Sequence, residues 1–123
     1  MAKKVLIVDD DLYIRELYEE VLKDAGFDVN TASDGQEGID KMKDGGYDLI
    51  LLDVMMPKVD GLGVLKQMGE MQPKAPNGKV ILLTNLSHDP VIQQALDTGA
   101  ASFMIKADLT PDQLIDKVNS FLK

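Results

Sequence analysis

The sequence predicts an α/β fold in which a parallel sheet is covered by helices on both faces. Three observations predict it. Short apolar runs rich in branched residues recur along the chain, too continuous for strands with one wet face. Between them the apolar spacing changes to the period of a helix. The alternation is strict, five β-then-α units within 123 residues, and such chains return by right-handed crossovers.

Taken in order, Val5-Leu6-Ile7-Val8 is the first strand. Ile14, Leu17, Tyr18, Val21, Leu22 and Ala25 mark one face of the first helix, which Gly26 stops. Phe27-Asp28-Val29-Asn30 alternates, as an edge strand with a wetter face does. Asp34 with Glu37 opens the second helix, whose stripe is only Ile39 and Met42, and Gly45-Gly46 ends it. Leu49-Ile50-Leu51-Leu52 is the third strand; Leu62, Leu65 and Met68 mark the third helix. Pro73 to Gly78 is the longest loop-like stretch, before the fourth strand Val80-Ile81-Leu82-Leu83. Asp89-Pro90 is a cap-plus-proline signal, followed by a stripe of Ile92, Ala95, Leu96 and Gly99, with Gly99 also a stop. Ser102-Phe103-Met104-Ile105 is a short fifth strand near an edge. Thr110-Pro111-Asp112-Gln113 reads as N-cap, N1 proline and capping-box glutamine, ahead of Leu114, Ile115, Val118, Phe121 and Leu122.

Composition narrows the function. Thirteen basic against 21 acidic residues give a net charge of −8, and Arg15 is the only arginine, so a nucleic-acid binder is not expected. Cysteine is absent and histidine occurs once, at His88, which excludes thiolate and His-pair metal sites. His88 reads as a surface residue rather than a phosphoryl donor. Apolar runs of about four or five residues fall far short of a bilayer span. The expectation is a single cytoplasmic, soluble domain over residues 1–123, binding neither nucleic acid nor membrane and most simply monomeric.

In open parallel sheets, ligands sit beyond the carboxyl ends of the strands. There the first strand ends in Asp9-Asp10-Asp11, the third in Asp53, the fourth in Thr84 and the fifth in Lys106; the second, ending in Ala32-Ser33, offers nothing. Taken singly, each has an ordinary explanation as cap, turn or solvated residue. Together they place carboxylates, a hydroxyl and an ammonium on one rim. Converging carboxylates resist ionising together unless cations offset them. A divalent cation and the Lys106 ammonium would do so, and all-oxygen ligation by few protein groups suits Mg2+. A carboxylate beside Mg2+ can act as a nucleophile and form an aspartyl phosphate. Phosphoryl transfer needs little beyond positioning and charge stabilisation.

These stretches resemble the response-regulator receiver domain of two-component signalling, in its stand-alone, chemotaxis-regulator-like form. The resemblance is carried by Val5 to Asp11, by Asp48-Leu49-Ile50-Leu51-Leu52-Asp53-Val54-Met55-Met56-Pro57 with Asp60-Gly61, by Leu82-Leu83-Thr84 and by Phe103-Met104-Ile105-Lys106. It implies a flavodoxin-like (βα)5 three-layer sandwich with strand order 2-1-3-4-5. It makes Asp53 the phosphoacceptor, and Asp9, Asp10, Asp53 and the main-chain carbonyl of Met55 the ligands of Mg2+, with Mn2+ as a substitute. It gives Lys106 and Thr84 contact with the phosphoryl group, and Thr84 with Phe103 the switch. The donor implied is a histidine kinase or histidine phosphotransfer protein. The output is a partner face on the fourth helix, fifth strand and fifth helix, where Gln93, Gln94, Asp97, Thr98 and Asp116 are candidates.

Two positions depart from the family pattern. Ala107 stands where a proline follows across a cis bond; before alanine that bond costs roughly 2.5–4 kcal/mol, which leaves cis and trans paths equally open. Asn85 is larger than the residue usual after the hydroxyl position and either narrows access to Asp53 or reaches the phosphoryl oxygens. Met55 and Leu86, two residues past Asp53 and Thr84, offer no group to orient a water, so a slowly hydrolysing acyl phosphate is expected rather than a turnover enzyme. The rivals are a phosphorylation-independent binding module on the same fold and an aspartate-nucleophile phosphatase. Met55 argues against the phosphatase, because an acid is typical there.

Overall fold

The computed structural model describes residues 2–54, 56, 60–70, 72–85, 90–106 and 109–122. Five strands and five helices alternate: β1 Lys4–Val8, α1 Leu12–Asp24, β2 Asp28–Ala32, α2 Gly35–Asp44, β3 Leu49–Asp53, α3 Gly61–Glu70, β4 Lys79–Thr84, α4 Pro90–Thr98, β5 Ser102–Ile105 and α5 Pro111–Phe121. All strand pairs are parallel and the sheet order is β2-β1-β3-β4-β5, the flavodoxin-like arrangement.

Strand periodicity divides the core between the two faces. Leu6, Val8, Ile50, Leu52, Val80 and Leu82 pack with Ile39 and Met42 of α2, Val64 and Leu65 of α3, and Ile92 and Ala95 of α4. Val5, Ile7, Leu49, Leu51, Ile81 and Leu83 pack with Tyr18 and Leu22 of α1 and Leu114 and Val118 of α5. Every residue of β3 is buried, which is why its sequence is a continuous apolar run up to the polar Asp53.

Two residues, Phe27 and Gly99, sit differently from the sequence reading, for one reason. Phe27 does not open the second strand: its N–H donates to Leu22 O at 3.0 Å and that of Gly26 to Lys23 O at 3.0 Å. With Gly26 at φ 99°, this is a Schellman stop that consumes Phe27, and β2 begins one residue later. The same pairing recurs at Gly99, with φ 135° and Ala100 N donating to Ala95 O; Gly99 is exposed, a helix stop and not part of the α4 stripe. The predicted capping box at Thr110 and Gln113 is present in both directions. Pro90 opens α4, whereas its predicted cap Asp89 lies outside the described residues, as does His88.

At the end of the sheet remote from Asp53, residues 72–78 are clasped onto the α2–β3 turn. Asn77 donates to Met42 O and accepts from Tyr47 N, and Gly78 N donates to Tyr47 O at 2.7 Å. This end carries structure, and it leaves the opposite end for chemistry.

Candidate functional site

Strand register sets the levels of the site residues. Val8 pairs with Leu52, so Asp9 and Asp53 follow side by side at the carboxyl ends of β1 and β3. Asp53 pairs with Leu83 and Thr84 with Ile105, which puts Thr84 one residue and Lys106 two residues beyond the Asp53 level. The length of a lysine side chain closes that gap. Its ammonium lies 2.7 Å from Asp9 Oδ2 and 3.3 Å from Asp53 Oδ2.

These groups are held out of water. Asp9 is 0% exposed, Asp53 and Thr84 are 5% exposed, and the Lys106 side chain is 9% exposed. Asp10 is exposed at the rim, and Asn85 is exposed beside Thr84. Burial, the largest single influence, pulls the Lys106 ammonium toward deprotonation, but the carboxylates of Asp9 and then Asp53 outweigh it and hold its pKa above the usual lysine value. Lys106 is thus a fixed cation at the floor of the site.

The β1–α1 turn is shaped by its acids. Asp9 Oδ1 accepts from Asp11 N at 2.9 Å, and Asp11 caps α1 by accepting from Tyr13 N and Ile14 N. Asp11 therefore serves the helix, while Asp9 and Asp10 turn toward Asp53. Ligand oxygens of Asp9, Asp10 and Asp53 lie within 4.8 Å of one another. Asp9 Oδ2 has the Lys106 ammonium as its ion-pair partner but receives no aligned hydrogen bond from the described residues. Three carboxylates, one with an incompletely satisfied buried oxygen, fit a hard divalent cation: the acidic triad is able to bind a metal.

On the other side, Asp60 caps α3 by accepting from Gly63 N at 2.8 Å, and Gly61 N donates to Val54 O at 3.1 Å. A Cβ on Gly61 would stand 2.6 Å from Asp53 O and 2.9 Å from Val54 Cα. Only glycine lets α3 start against the backbone that carries Asp53.

The sequence profile of the response regulator receiver domain matches residues 5–119. The chain belongs to that family. Its receiver domain is 28% identical to the chemotaxis protein CheY of Thermotoga maritima over 124 residues, covering 100% of both chains. It is similar in structure to a CheY-like receiver domain protein from Methanospirillum hungatei, with TM-score 0.87, 27% identity, and 99% and 94% of the two chains covered. It is also similar, with TM-score 0.82, 30% identity, and 96% and 87% coverage, to a chain of a CheX–CheY–BeF3–Mg2+ complex from Borrelia burgdorferi. A receiver domain with this acidic pocket is a phosphoacceptor module of two-component signalling, not a turnover enzyme. Among the described residues no helix is long and apolar enough to cross a membrane.

The described structure brings together Asp9, Asp10, Asp53 and Lys106, with Thr84 at the adjoining strand end. Phe103 lies on β5, half-buried against the α2–α4 side of the core. Met55, Leu86 and the Lys106–Ala107 linkage lie outside the described residues. Sequence reasoning missed Arg15, whose Nη1 donates to Asp9 O at 2.9 Å. Its signal was available only as the single arginine of an acidic chain, one turn after the aspartates.

Proposed function

We propose that this receiver domain accepts a phosphoryl group on Asp53 in a Mg2+-dependent reaction. The observation that carries this reading is the Asp53 carboxylate, buried at the end of β3, within the three-acid group and 3.3 Å from the Lys106 ammonium. Asp9, Asp10 and Asp53, with the Met55 carbonyl expected from the family pattern, would hold Mg2+. The ion would supply charge neutralisation and a fixed point for phosphoryl oxygens.

In this reading the Asp53 carboxylate oxygen attacks phosphorus in line as the donor group departs. A P–O bond to Asp53 forms and the bond to the donor breaks. Lys106, held protonated by its two carboxylate neighbours, takes charge on the phosphoryl oxygens. Thr84 donates a hydrogen bond to them. The donor is a histidine kinase or a histidine phosphotransfer protein, and the module works in the cytoplasm.

The output face is the one formed by α4, β5 and α5. Gln93, Gln94, Asp97, Thr98 and Asp116 are exposed there. A groove of about 610 Å³ runs between β5 and α5, lined by Phe103, Ile105, Leu109, Gln113, Asp116 and Lys117 among others. Movement of Thr84 toward the phosphoryl group would draw Phe103 inward and reshape that groove for a downstream protein.

Intact mass of the full chain after incubation with a small acyl phosphate tests the reading. One phosphoryl group per chain is expected with Mg2+ and none with excess chelator. Because Met55 and Leu86 cannot orient a water, the adduct should persist for minutes; loss within seconds would contradict slow hydrolysis. A metal-independent adduct would contradict the Mg2+ requirement, and no adduct with any donor would favour the phosphorylation-independent binding module.

A further inference from the structure

We propose that Arg15 is a positioning residue for the acidic group, holding the Asp9–Asp10 peptide in the turn that lets both carboxylates approach one cation. Successive residues of an extended strand point to opposite faces of the sheet. Asp9 and Asp10 nevertheless place carboxylate oxygens within 4.8 Å of each other and of Asp53. The backbone must therefore leave strand geometry at the peptide joining them, and something must hold it there.

The main chain shows what does. Asp9 N still bonds Ala32 O at 3.1 Å, extending the ladder with β2 by one step. A continuing parallel ladder would send Asp9 O to a backbone N–H further along the neighbouring strand. β2 ends at Ala32, so that carbonyl would be an orphan beside a buried carboxylate. Arg15 Nη1 fills the place at 2.9 Å. Arg15 is itself anchored, its N–H donating to Asp11 O at 2.9 Å on a helix whose Tyr18 and Leu22 are buried in the core. Every hydrogen-bonding group of the Asp9 main chain is thus engaged, and the Asp9–Asp10 peptide has one orientation.

A charge role and a positioning role predict opposite signs. A guanidinium beside a cation site repels the cation, so as a bare charge its removal would tighten Mg2+ binding. As a clamp its removal loosens the turn and weakens binding. The inference rests on the Mg2+ reading above, and its test separates the two. Mg2+ binding to the metal-stripped full chain is measured by calorimetry for wild type, Arg15→Met, Arg15→Gln and Arg15→Lys. Met keeps the apolar stem, Gln is polar but too short to reach, and Lys keeps a long cationic donor.

Binding about tenfold weaker in Arg15→Met and Arg15→Gln, largely restored in Arg15→Lys, is the expected result. Unchanged or tighter binding in a folded Met or Gln variant overturns the inference. The metal-free proteins give a second readout, the 1H–15N signal of the Asp10 amide, which belongs to the clamped peptide. It should move or broaden in Arg15→Met and Arg15→Gln and stay near its wild-type place in Arg15→Lys. If wild type binds no Mg2+, the metal reading fails by itself. An unmoved Asp10 signal then overturns the clamp independently.

Discussion

The ammonium of Lys106 lies closer to Asp9, at 2.7 Å, than to Asp53, at 3.3 Å. Lys106 thus pairs with two of the three carboxylates, and it is drawn toward the more buried one. The imbalance predicts how metal and mutation change stability. Two carboxylate charges within 4.8 Å of each other repel by at least roughly 1–3 kcal/mol at effective dielectrics of about 80 to 20. Asp53→Asn removes part of that repulsion while Lys106 keeps Asp9. The metal-free variant should be more stable than wild type by about 1 kcal/mol. Saturating Mg2+ should stabilise wild type and leave the variant nearly unchanged. Urea midpoints with chelator and with Mg2+ check both; a destabilised metal-free Asp53→Asn would contradict the repulsion.

Gly61→Ala is expected to disturb the site from behind. The new methyl would meet the Asp53 carbonyl and the Val54 backbone, neither of which can rotate away. Overpacking of this kind costs about 1–3 kcal/mol. Phosphorylation should slow as well, because the strain falls on the residue that carries the nucleophile. Thermal melts and the rate of adduct formation provide the measurements. Gly69→Ala, in the same helix with open space around it, serves as the control.

Tyrosine ionisation reports the underside of the pocket. Burial, with a contribution from the Asp9 charge, pushes the Tyr18 phenol up to about 12 from 10.0. Tyr18 is 3% exposed and its hydroxyl has no hydrogen-bond partner among the described residues, whereas Tyr13 is 71% exposed. The unfolded chain loses this proton first as pH rises. The neutral phenol's stabilisation is therefore complete below about pH 10 and is lost between about pH 10 and 12. Lys106, also raised, acts in the same sense. Phenolate absorbance should include a step near pH 12, and Tyr18→Phe should remove it.

Thr110→Ala should cost about 1 kcal/mol of stability. Thr110 caps α5 and exchanges both capping-box bonds with Gln113, four residues beyond Lys106. Mg2+ affinity should stay close to wild type, because the cap touches none of the three carboxylates. Chemical denaturation and Mg2+ titration of this variant separate the two expectations.

Most of the fold was legible because buried parallel strands write themselves as apolar runs and their carboxyl ends as polar residues. Asp9, Asp53, Thr84 and Lys106 could be read this way, since each interrupts such a run. Features made by one backbone atom meeting another group could not. Nothing in the pattern tells that Arg15 serves the Asp9 carbonyl, because the need arises only where β2 stops at Ala32. The α2 stripe looked weak as Ile39 and Met42 alone because half of its buried face is glycine. Gly35 and Gly38 are buried, and a Cβ on Gly38 would lie 3.0 Å from the Val8 methyls. Close packing there replaces hydrophobic side chains, and a periodicity count cannot see it. Tyr47 was likewise illegible: it is buried, accepts from Asn30 Nδ2, and has the Lys4 ammonium 4.7 Å above its ring. Those contacts join segments far apart in sequence.

The most direct test of the central claim is the position of the phosphoryl group. After treatment with a small acyl phosphate and Mg2+, borohydride reduction converts an aspartyl phosphate to homoserine, and peptide mapping locates it. The geometry predicts homoserine at Asp53 alone, absent from Asp53→Asn and from chelator-treated protein. Homoserine at Asp9 or Asp10, or none anywhere after exposure to acyl phosphate and Mg2+, would contradict it.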